Sequence, residues 1–214
     1  MSDTTKNLLE MVLSIVALVG AAVTFGVGLY QWKRSQDWQR AAKLDDFVQI
    51  FQSDPLLRLA AVAVDYTVRR ITIDGRDFPI QNADALLALR DHSLMKPGEG
   101  FTDEQAQLRD AYDALLAFFV RIELGISGGL LDRESAKCAF GYYLKRFLSF
   151  DMHGDTDQVL KGLDPAEAVS AYIAAYGDAE SIQRLSDHFA LPGGATKDAA
   201  NPPKGSQMPS RRRL

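Results

Sequence analysis

The chain has 214 residues, 47% of them hydrophobic and 24% charged, which excludes a wholly disordered chain, a collagen and a disulfide-built mini-protein. Its net charge is −4. The first thirty residues carry −1 and the last twenty-five +4, leaving −7 on residues 31–189, a balance that argues against a general nucleic-acid binder.

Residues 1–10 read as a short N-terminus. Residues Met11–Tyr30, MVLSIVALVGAAVTFGVGLY, follow with no charge. A helix of this length spans about 30 Å, the hydrocarbon thickness of a bilayer. Tyr30 and Trp32 stand where amphipathic rings settle at headgroup depth, and Lys33 and Arg34 follow directly. The run is too long, and its flanks wrong, for a cleaved signal peptide. It predicts an uncleaved transmembrane helix in contact with the lipid bilayer. Lys33, Arg34, Arg40 and Lys43 lie beyond it against Lys6 before it, so the positive-inside rule places the N-terminus outside and the larger part in the cytosol. Gly20, Thr24 and Gly28 recur at spacing four. Such a row lets helices self-associate in lipid, although glycine is also common in membrane helices generally.

The helix is expected to continue through a juxtamembrane stretch, residues 31–52. A helical domain is expected over residues 53–189. Asp54-Pro55 opens a buried helix, Leu56 to Tyr66. Residues 67–80 break the pattern: Val68, Ile71, Thr72 and Ile73 are β-branched, Asp74-Gly75 is a turn pair, and a small β-hairpin is predicted. Asn82 is expected to cap a helix over residues 83–91. Thr102 with Gln105 forms a capping box for a helix to about Ile126, its apolar face set by Leu108, Tyr112, Leu115, Phe119 and Ile122. Asp132, Asp164 and Asp178 each open a further helix. Residues 190–214 hold four of the eight prolines and carry Arg211-Arg212-Arg213 before Leu214, the composition of a disordered tail.

Little in the chain signals catalysis. His92, His153 and His188 are isolated, and no nucleophile elbow or phosphate loop is present. Asp151, Asp155 and Asp157 alternate in a loop, but Gly162 stands where a calcium loop needs its last carboxylate. No enzyme, metal or cofactor is therefore expected. Cys138, the single cysteine, excludes an internal disulfide and reads as a small buried hydrophobe in a reducing compartment. One charged set stands out. Asp65 ends an apolar run, Arg69 and Arg70 follow, and Glu123 borders the apolar face of its helix. Charges near a core are usually paired, so an Asp65/Glu123–Arg69/Arg70 network tying helix to hairpin is expected.

Trp38, Arg40, Asp54, Pro55, Asp65, Tyr66, Arg69, Arg70, Arg121, Glu123, Gly129, Leu130 and Tyr142 carry a further signal. Their order over residues 30–150 resembles a group of bacterial single-pass membrane proteins with an uncharacterised cytosolic helical domain. The resemblance implies an inner-membrane protein and, by analogy alone, a stress or phage-defence setting. It supplies no catalytic residues. The expected function is a membrane-tethered interaction or sensing module for an unknown cytosolic protein partner. An oligomerising, membrane-perturbing effector is one alternative, and an enzyme with an unrecognised site a second.

Overall fold

The structure, a computed structural model, describes residues 3–65, 68–73, 75–90, 100–150 and 164–191. Among these the chain is mainly helical, with seven helices. The first, α1 (Asp3–Ser53), is one unbroken helix of 51 residues. Asp54 then accepts from the backbone N–H groups of Leu56 and Leu57, at 2.8 and 3.2 Å, and starts α2 (Pro55–Asp65). Pro55 suits that first position because its missing N–H has no helical partner to lose. α2 is buried on one face only, through Leu57, Leu59, Ala60, Ala63 and Val64, and Arg58 on the other face is exposed.

Two short segments, β1 (Val68–Ile73) and β2 (Arg76–Gln81), run antiparallel, with Ile73 opposite Arg76. A two-stranded ribbon of this size is marginal by itself, and none of its described side chains enters the core. The helices set the fold class. α3 (Asn82–Leu87) differs from expectation at both ends. Asn82 is its first residue, not its cap; Gln81 precedes it without a side-chain cap, and the helix stops at Leu87.

The centre of the body is α4 (Asp103–Ser127). Thr102 and Gln105 form both bonds of the capping box, and Asp103 and Glu104 lie against the positive end of the helix dipole. Leu108, Ala111, Tyr112, Leu115, Leu116, Phe118, Phe119 and Ile122 are all buried. Each fully buried large side chain contributes roughly 1.5–3 kcal/mol before entropy is counted. Gly129, at φ +70°, turns the chain after α4, a backbone conformation costly for other residues. Asp132 caps α5 (Arg133–Ser149), Asp164 caps α6 (Pro165–Tyr176) and Asp178 caps α7 (Ala179–His188). Helices α2 and α7 pack on α4, and the C-terminal part of α1 packs on α2 and α5. There Phe51 meets Phe118, Phe140 and Tyr143, with ring centroids 5.3, 5.7 and 4.8 Å away.

Cys138 corrects a second expectation: it is exposed. The buried face of α5 is Ala136, Phe140, Leu144 and Phe147. At about 100° per residue Cys138 lies on the opposite side. The 151–157 carboxylates, His92, His153 and the 192–214 tail fall outside the described residues.

Candidate functional site

Among the described residues one helix, over Ile15–Ser53, is long and apolar enough to cross a membrane, and none of its most apolar window is buried. Residues 15–35 are exposed throughout, including Val16, Leu18, Val19, Val23, Phe25 and Leu29. An unbroken apolar surface of this extent is unstable in water and marks a membrane or protein contact. At its end Tyr30, Trp32, Lys33 and Arg34 are all exposed. A side-chain carbon added at Gly20 or Gly28 meets nothing within 4 Å. The Thr24 hydroxyl donates to Gly20 O at 2.8 Å, which satisfies it within the helix. On the helical wheel Gly20, Thr24 and Gly28 lie about 180° from Leu44, Phe47, Val48 and Phe51, the residues that hold the body. The row of small residues therefore faces away from the body.

Where α1 meets the body, α1, α2 and α5 enclose an open groove of about 480 Å3. Val48, Phe51, Val62 and Phe140 supply apolar walls, with Arg58 and Asp65 as its charged groups. The Tyr142 hydroxyl donates to Asp65 Oδ1. The volume falls within the range of small-ligand clefts.

Among the described side chains, Glu123 and Asp65 bond to groups on other helices. The Glu123 Oε1 accepts from Arg184 Nε at 2.9 Å and from the Ser127 hydroxyl at 2.7 Å. Arg184 comes from α7, which packs on α4 just where Glu123 emerges, and it also pairs with Glu180. Asp65 takes its described bond from Tyr142 of α5. Arg70 is exposed, and the Arg69 side chain is outside the described residues. The described bonds of Glu123 and Asp65 thus tie helix to helix. Burial alone would raise the Glu123 carboxyl, but the Arg184 and Ser127 hydrogen bonds and the Arg184 charge outweigh it and hold the group below its usual range.

Two consequences can be measured. Glu123 is 1% exposed, and replacing it with alanine removes two charge-assisted hydrogen bonds. The expected loss is about 2 kcal/mol, against less than about 1 kcal/mol for Asp103→Ala in its exposed first turn. Because the folded carboxyl titrates below the unfolded one, its stabilisation is complete above about pH 4.3 and is lost as pH falls through the folded value. Glu123→Gln should therefore flatten the acid side of the stability profile. Equal unfolding midpoints for the alanine variants, or an unchanged acid slope, count against the pair.

A second buried charge has no counterpart in the sequence reading. Arg109 is 9% exposed. Its Nη1 donates to Ala88 O at 3.1 Å and Arg90 O at 2.9 Å, closing the turn after α3. Its guanidinium sits over three rings: Phe101 and Tyr172 at 5.0 Å and Tyr176 at 4.2 Å. Tyr172 donates to Asp113 Oδ1 at 2.5 Å, and burial, then that carboxylate, push its hydroxyl far up. The signal was present on the wheel. The turn geometry that places Glu123 at the margin of the apolar face puts Arg109 about 20° from Leu116.

Among the described residues no group of three or more His, Cys, Asp or Glu could hold a metal ion. Asp65 and Glu123 have separate partners on separate helices. No family model matches the chain, and no curated protein or solved structure matches it significantly.

Proposed function

We infer that this is a single-pass membrane protein of a bacterial inner membrane. Residues 11–30 form the anchor, residues 1–10 lie outside, and the helical body serves in the cytosol as an interaction or sensing module. The exposure of the apolar part of α1, continuous with a helix clamped into a folded body, carries the reading. A soluble protein would leave that surface in water, at roughly 25 cal/mol for each Å2. Lys33, Arg34, Arg40 and Lys43 support the orientation, since basic flanks stay on the cytosolic side and favour an anionic leaflet. The groove between α1, α2 and α5 is a surface able to receive a protein side chain or small ligand, and it joins the anchor's own helix to the body. No residue is assigned a catalytic role. A phosphatase fused to the C-terminus should stay inactive in intact cells; an active fusion overturns the orientation.

One observation favours a second reading, an oligomerising effector that perturbs the membrane. The Gly20, Thr24 and Gly28 row faces away from the body, so two anchors could approach without the bodies colliding. Toxicity on overexpression that disappears in Gly20→Leu/Gly28→Leu would favour this reading over the first.

A further inference from the structure

We propose that the turn between α4 and α5 is a second membrane contact, in which Leu130 rests on the headgroups of the leaflet that α1 enters. The proposal rests on the anchor reading and adds an orientation for the body.

Helix α4 climbs back along α1 toward the anchor. Phe118 lies level with Phe47 and Phe51, at 5.9 and 5.3 Å between ring centroids. Eleven residues later, Gly129 O accepts from Arg40 Nε at 3.1 Å. Arg40 is ten residues past Tyr30, or about 15 Å along the helix. The headgroup layer takes up about 5–8 Å of that distance. A tilt of α1 toward its body-bearing side, within the roughly 20–40° found for membrane helices, brings the turn down onto the headgroups.

The side chains at this point fit that surface. The turn carries two adjacent leucines with opposite fates. Leu131 is buried, and its side chain lies where a Cβ on Gly125 would be, whereas Leu130 is 61% exposed. Leu124, one turn back on α4, is 58% exposed. In the described body beyond residue 43, the exposed large aliphatic side chains are Ile50, Leu124 and Leu130. Two of the three therefore lie at the end nearest the anchor. Exposed Arg121 and Arg133 flank them, set against Asp132 and Glu134. Lys33 and Arg34 above supply the surplus positive charge that an anionic leaflet attracts. An amphipathic element of this kind binds by burying its apolar tip at the headgroup boundary.

The test is fluorescence quenching in the full chain, reconstituted in phosphatidylcholine–phosphatidylglycerol vesicles that carry headgroup nitroxide lipid. An environment-sensitive dye is placed at Leu130→Cys in a Cys138→Ser background. The comparison dye is at Tyr176→Cys, beside Arg109 and about 30 Å down α4. Flotation of the vesicles first establishes insertion; a chain that does not float overturns the anchor reading itself. In floating chains, several-fold stronger quenching at 130 than at 176 is expected. Equal quenching at both positions overturns the proposal while leaving the anchor intact. So does dye at 130 quenched only by neighbouring labelled copies, which would make the turn a contact between chains.

Discussion

Replacing Phe51 with alanine is expected to destabilise the body by about 3–4 kcal/mol, the cost of deleting a large core side chain whose site cannot fully collapse. Phe51 is 8% exposed and is the point where α1 enters the core. Its ring contacts Phe118 of α4 and both Phe140 and Tyr143 of α5. Edge-on and tilted aromatic pairs add roughly 0.5–1.5 kcal/mol beyond area burial. In a domain of this size the loss should lower the melting temperature of detergent-solubilised protein by about 10 °C. The neighbouring Ile50 is 43% exposed, and Ile50→Ala should stay within about 0.5 kcal/mol of the parent. Similar melting shifts for the two variants would mean that α1 is not clamped into the body.

The second large effect is expected at Arg109. Arg109→Ala removes two hydrogen bonds to backbone oxygens and a cation held over three rings. Each buried carbonyl left without a donor costs about 1–3 kcal/mol, and desolvated cation–π contacts are worth up to about 2 kcal/mol. Partial rescue by water at the half-buried Arg90 carbonyl brings the expected total to about 3–4 kcal/mol. Exposed Arg121 on the same helix provides the comparison, and Arg121→Ala should be nearly neutral. Arg109→Lys keeps the charge but loses the planar fork and its stacking, so it should recover less than half of the loss. Full recovery by lysine would reduce the site to a simple charge effect.

Local features of the fold were legible in the sequence. The caps at Asp54, Thr102, Asp132, Asp164 and Asp178 depend on bonds spanning two or three residues, so their side chains announce them. The partner of Glu123 was not legible. The wheel shows that a charge borders the core, but Arg184 is 61 positions away, and only the docking of α7 on α4 brings it to Glu123. Cys138 departs from expectation for another reason. Cysteine as a residue type favours burial, but the periodicity of α5 turns position 138 outward, and the helix wins. A lone arginine among apolar residues forms no motif; three rings from two other segments make Arg109 a site. The groove between α1, α2 and α5 likewise exists only in the packing of three helices.

The anchor is the central claim, and alkaline carbonate extraction of cell membranes tests it most directly. The full chain should remain in the membrane pellet, because about 20 apolar residues of α1 exchange water for hydrocarbon and satisfy their backbone bonds within the helix. A chain lacking residues 1–30 should move to the supernatant with the helices of the body still folded, since the core begins at the Leu44–Phe51 end of α1. Recovery of the full chain in the carbonate supernatant would contradict membrane anchoring, and the exposed face of α1 would then require a protein partner.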